Sequence, residues 1–87
     1  MNAGLRDFIA ELKGIKGEKV NIDILHKLYG DQKVACKLEI IDDASRLGFS
    51  INEQEIYIDK ETIRGFGIEK GTYYFANELM CIKLKTI

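Results

Sequence analysis

The sequence predicts a mainly β protein: a small, strongly bent antiparallel barrel of five to six strands behind a short N-terminal α-helix, all in one domain spanning residues 1–87. Three observations carry this reading. One apolar stripe at helical spacing opens the chain. Period-two alternation runs through most of the remaining residues. Only a few residues separate one alternating run from the next. Consecutive strands with such short connections pair as antiparallel hairpins. A meander of this length cannot fill a large sandwich, so it most naturally curls and hides its edges.

Leu5, Phe8, Ile9 and Leu12 fall at i, i+3, i+4 and i+7, with Arg6, Asp7, Glu11 and Lys13 on the opposite face. Gly14 is the expected stop, in the left-handed conformation that ends helices. So short a helix does not stand alone in water and should lie on a sheet. Val20, Ile22 and Ile24 then alternate with Asn21 and Asp23 as a half-buried strand. Residues 25–31 break the alternation and read as a turn closing at Gly30-Asp31.

The central stretch, residues 33–51, reads as a hairpin. Val34, Cys36, Leu38 and Ile40 face inward on its first arm, and Leu47, Phe49 and Ile51 on its second. Asp42-Asp43-Ala44-Ser45 is the turn, and Gly48 marks a bend or bulge. Asn52-Glu53 turns the chain into a strand carrying Ile56 and Ile58. Residues 60–68 stay open between a strand extension and a helical turn. Glu69-Lys70-Gly71-Thr72 is a tight turn; Tyr73 and Phe75 then point one way and Tyr74 the other. Asn77-Glu78 turns once more. The last strand sets Met80, Ile82 and Leu84 against Cys81, Lys83 and Lys85.

With 46% hydrophobic and 31% charged residues, the balance is that of a globular chain rather than a disordered one. A net charge of −1 excludes a strongly basic polyanion binder but leaves local basic patches open. Proline is absent, so any exposed strand edge lacks its commonest blocker. Cys36 and Cys81, far apart and without a second pair, read as reduced thiols, and the expected location is cytoplasmic. Arg6, Asp7 and Glu11 interrupt the N-terminal apolar residues, which argues against a signal peptide, and no run approaches a membrane span.

Motifs for chemistry are weak. His26 is the one histidine, with no local nucleophile signature, and reads as a surface or loop residue. No Cys-x-x-Cys, His-x-x-x-His or calcium loop occurs, so no metal or cofactor is expected. Gly65-Phe66-Gly67 lacks the third glycine of a dinucleotide loop, since Lys70 stands in its place. Asp42-Asp43 reads as turn chemistry rather than an acid–base pair. The expectation is that the protein is not an enzyme. Outward Lys37, Lys83 and Lys85, with Arg46, Arg64, Tyr57, Tyr73 and Tyr74, offer the interleaved charge and stacking surface that suits single-stranded nucleic acid. The same lysines also serve to keep edge strands soluble.

Residues 36–47 contain Leu38, Asp42 and Leu47 at spacings that resemble the first signature of Sm-like small barrels, which are related in shape to SH3-like barrels. Cys36 replaces the usual Gly and Arg46 the usual Asn. Ile63-Arg64-Gly65 resembles the second signature. The resemblance implies a short helix followed by five bent strands, a ring-forming homo-oligomer, and single-stranded RNA held between the two motif loops. Its counterparts here are Asp42, Arg46, Arg64 and Gly65. The C-terminal third departs from it by an extra hairpin. The resulting expectation is a non-catalytic binding or assembly module that self-associates and contacts RNA through Asp42, Arg46, Arg64, Gly65, Tyr73 and Tyr74. The alternative is a protein-interaction or structural adaptor with no nucleic-acid role, joined to its partner by strand addition.

Overall fold

The computed structural model describes residues 3–87; the first two residues of the expected 1–87 domain lie outside them. Helix α1 (Ala3–Lys13) is followed by eight strands: β1 (Lys19–His26), β2 (Gly30–Lys37), β3 (Glu39–Asp42), β4 (Arg46–Ile51), β5 (Gln54–Asp59), β6 (Gly65–Glu69), β7 (Thr72–Ala76) and β8 (Met80–Thr86). A 3-10 turn at Lys60–Thr62 lies between β5 and β6. All pairing is antiparallel, in a five-stranded sheet ordered β2-β1-β8-β7-β6 and a three-stranded sheet ordered β3-β4-β5. Neither sheet closes on itself.

The helix buries the predicted stripe: Leu5, Phe8, Ile9 and Leu12 are all at most 4% exposed. Phe8 meets Phe66, Phe75 and Tyr73 at ring separations of 5.5, 5.9 and 6.5 Å, which seats the helix on the inner side of β6 and β7. Gly14 does not end α1 in a left-handed conformation. Successive tight turns do so, Gly14 N–H donating to Glu11 C=O and Ile15 N–H to Leu12 C=O, and it is Gly17 that takes positive φ (+88°).

Eight strands form where five or six were expected, for two local reasons. Residues 34–41 keep their alternation but are split at Leu38. There the N–H donates to Glu18 C=O and the C=O accepts from Gly17 N–H, so the chain turns a corner into the second sheet. Leu38 is fully buried at that corner. Parity survives the corner, which is why the inward set Val34, Cys36, Leu38 and Ile40 is still the less exposed one. The second reason is β6. Residues 60–68 split between a helical turn and a strand, and its glycines hide that strand from a propensity reading.

Two-residue loops with positive φ at both positions close β4-β5 (Asn52 48°, Glu53 71°) and β6-β7 (Lys70 50°, Gly71 79°). Both match the primed turns whose twist suits hairpins. The β1-β2 turn begins later than expected: β1 runs through His26, and Gly30 (φ +80°) already belongs to β2. Gly48 makes no bulge, since it pairs in unbroken register with Ile41 and Tyr57; Tyr57 lies across it, and a Cβ there would stand 2.7 Å from the ring. The one join that no hairpin supplies is β1 with β8, where Val20 pairs with Thr86 and His26 with Met80.

Candidate nucleic-acid interface

The residues the sequence singles out fall in four separate places. Asp42 ends β3. Its Oδ1 accepts from Lys60 Nζ and its Oδ2 pairs with Lys13 Nζ, both at 2.5 Å. Lys60, 8% exposed, also donates to Asp43 C=O. Asp42 is thus a clasp between α1, the β3-β4 turn and the 3-10 turn. Partial burial pushes its pKa up, but the hydrogen bonds and charges of Lys13 and Lys60 outweigh that and hold it below the ordinary carboxylate range.

Arg46 opens β4 and lies over the Tyr57 ring, 4.2 Å from its centre, while reaching Asp43 Oδ2 at 3.2 Å. Tyr57 in turn donates to Glu55 Oε2 at 2.7 Å, which pushes its own pKa up. Arg64 pairs with Glu78 at 2.9 Å, both side chains more than 70% exposed. Gly65 starts β6 opposite Ala76. The β3-β4 turn and the segment before β6 do border one cavity of about 290 Å³, lined by Leu5, Ala44, Ser45, Lys60, Ile63 and Phe66 among others. Neither Arg46 nor Arg64 lines it. Tyr73 is half-buried on the inner face beside Phe8.

Tyr74 is the exception. It stands on the outer face of the five-stranded sheet, the face α1 does not cover. Strand parity puts Lys19, Asn21 and Asp23 of β1 on this face with Asp31, Lys33, Ala35 and Lys37 of β2. It adds Lys83 and Lys85 of β8, Thr72 and Tyr74 of β7, and Gly67 and Glu69 of β6. One cross-strand row reads Lys33, Asp23, Lys83, Tyr74, Gly67. The face therefore carries five lysines against Asp23, Asp31 and Glu69, although the whole chain is at −1. Lys33, Lys83 and Lys85 form no ion pair among the described residues.

Gly67 explains how Tyr74 lies there. A Cβ on Gly67 would meet Tyr74 Oη at 2.6 Å and Cζ at 2.9 Å, so the phenol end rests on a bare backbone. Two shallow cavities open on this face: one of about 410 Å³ beside Asn21, Asp23, Lys33 and Ala35, the other of about 370 Å³ beside Glu69, Thr72, Tyr74, Lys83 and Lys85. Asp23 Oδ1 is buried and accepts no hydrogen bond among the described residues. Sequence reasoning placed Asp23, Lys37, Lys83, Lys85 and Tyr74 opposite the apolar positions of their strands but missed Lys19 and Lys33. The missing signal is strand pairing: alternation marks the face of each strand, and only the β2-β1-β8 order puts these residues side by side.

Cys36 pairs with Val20 on the inner face and Cys81 with Leu25 on the outer, so the two thiols cannot meet within one chain. His26 Nδ1 accepts from the N–H groups of Leu28 (3.1 Å) and Tyr29 (3.4 Å), which makes it a cap for the β1-β2 turn. No group of metal-ligating side chains gathers among the described residues. No described helix is long and apolar enough to cross a membrane. Comparison with protein-family models, characterised proteins and solved structures finds no match.

Proposed function

We propose that this chain is a non-catalytic binding module of the Sm-like small-barrel kind, its barrel opened into two sheets, that works as a homo-oligomer and takes single-stranded RNA on the outer face of the five-stranded sheet. The observation that carries this reading is Tyr74 beside Lys83 and Lys85 on an uncovered sheet face, with neither lysine engaged in an ion pair. A base stacks on the ring and the lysines meet phosphates. Asp42, Arg46 and Arg64, the contacts the resemblance implies, are engaged inside the chain, so the contact surface moves to Tyr74 and the lysines. A reduced, cytoplasmic setting belongs to the same reading.

Fluorescence anisotropy with a labelled oligouridylate at low salt tests it. Tyr74→Ala and Lys83→Glu should each weaken binding roughly tenfold or more, and Arg64→Ala should leave it unchanged. Absence of binding by the wild type sinks the RNA reading. Sensitivity to Arg64→Ala with indifference to Tyr74→Ala returns the contact to the β3-β4 side.

Leu28 (72% exposed) and Tyr29 (85% exposed) at the β1-β2 turn favour a second reading, a protein-interaction module. Recovery of the same protein partner with and without nuclease would decide for it.

A further inference from the structure

Strand β2 is the longest uncovered edge of the molecule. It spans Gly30–Lys37, pairs with β1 on one side only, and is exposed throughout except at the half-buried Val34 and Cys36. By contrast β3 has four residues and β6 five, and α1 packs against β6. An edge of this length without proline offers its free N–H and C=O groups to another strand. Lysines on edges ordinarily oppose such pairing, because a second copy sets lysine against lysine.

The order of charges in β2 defeats that block in one register. We infer that β2 pairs antiparallel with β2 of a second copy of this chain, about a twofold axis at Val34. In that register Val34 faces Val34, Lys33 faces Ala35, Gln32 faces Cys36 and Asp31 faces Lys37. Symmetry repeats the Asp31–Lys37 pair at both ends. Shifting the axis to Lys33 sets Lys33 against itself, and shifting it to Ala35 sets Lys33 against Lys37 twice. An axis at Gln32 also pairs Asp31 with Lys33, but it shortens the ladder to residues 30–34. An axis midway between two residues puts inner-face residues opposite outer-face ones. The Val34 axis alone uses residues 31–37 of both strands without opposing like charges.

The inner face supports the same axis. Val34 and Cys36 are only half-buried and pack on the edge of the core, and burial already pushes the Cys36 thiol up. A second β2 covers both. It also carries the β1-β2 turn, with Leu28 and Tyr29, to the corner at Leu38 of the other copy. The two five-stranded sheets become one, with Lys33 of both copies beside the axis on the outer face and Lys37 at the two ends of the ladder. The inference rests on the homo-oligomer part of the proposed function and not on the RNA part.

Sedimentation equilibrium without nucleic acid gives the first measurement, with a concentration-dependent dimer expected. D31K should weaken dimerisation roughly tenfold or more, since two attractive pairs become repulsive, and D31K/K37D should restore it. Both positions are exposed, so folding is retained, and far-ultraviolet circular dichroism checks that. Register is read separately in a background with Cys36 and Cys81 replaced by Ala. V34C should cross-link to dimer under mild oxidation and K33C and A35C should not, because only directly opposed residues lie within disulfide reach. A monomer at all concentrations overturns the inference. So does a dimer indifferent to D31K, or one that cross-links through K33C or A35C instead. Loss of RNA binding with the dimer intact leaves it standing.

Discussion

A buried ammonium is tolerated only when its donors are met. Lys60 meets this condition through Asp42 Oδ1 and Asp43 C=O, both at 2.5 Å, while Lys13 takes the other Asp42 oxygen. Lys60→Met should cost about 1–3 kcal/mol in urea unfolding, with Lys13 left to hold Asp42. The pH dependence is set by the lowered Asp42 pKa. Asp42 binds a proton more readily unfolded than folded. Its stabilisation is therefore complete above the unfolded value of about 4 and is lost as pH falls through the lower folded value. Unfolding free energy measured from about pH 7 down to about pH 3 should fall in the wild type and fall less in Asp42→Asn. Parallel profiles would show that Asp42 does not titrate with folding. Little of this pairing is legible in the sequence. Asp42 is recognisable as a turn residue, but its partners lie far along the chain in elements whose docking no local pattern encodes. Arg46 stacked on Tyr57 is hidden for the same reason: period two tells which face a side chain takes, not what waits there.

Elements are more legible, because each buries a stripe written at its own period. The α1 stripe is read directly from Leu5, Phe8, Ile9 and Leu12, and every position that alternation sets inward on β1, β4 and β8 (Val20, Ile22, Ile24, Leu47, Phe49, Ile51, Ile82, Leu84) is buried except the half-buried Met80. Two elements escape for opposite reasons. The Leu38 corner leaves the alternation intact, so nothing in residues 34–41 betrays a change of sheet. β6 is a strand in spite of its composition; Gly65 and Gly67 weaken it, and its pairing with β7 and the contact of Phe66 with Phe8 sustain it. α1 itself is too short to persist unsupported, and Phe8 with its three aromatic neighbours is its main anchor on β6 and β7. Phe8→Ala should cost about 3–5 kcal/mol, a large part of the stability of a domain this size. The check is the midpoint of urea unfolding. A midpoint shift worth less than about 1 kcal/mol would mean that the helix is held elsewhere.

At the scale of the whole molecule, what the sequence hides is adjacency. Local pairing rules lead to a meander, but the β1-β8 join brings the first and last strands together and sets β2 and β8 on either side of β1. That join converts a chain at −1 into one with a basic sheet face, since Lys33 and Lys83 come from strands far apart in sequence. The charge asymmetry has a measurable consequence. If Lys33, Lys83 and Lys85 each neutralise one phosphate, the logarithm of the RNA association constant should fall against the logarithm of salt concentration with a slope of about −2. Lys83→Gln should reduce that slope by about 0.7 and weaken binding at low salt, while Arg64→Gln should leave the slope alone. Glu69→Lys, on the same face beside Thr72 and Tyr74, should strengthen binding at low salt and lose that gain as salt rises. A slope near zero would place RNA contact away from the lysines. A slope that responds to Arg64→Gln and not to Lys83→Gln would put the polyanion on the β3-β4 side, where the resemblance places it.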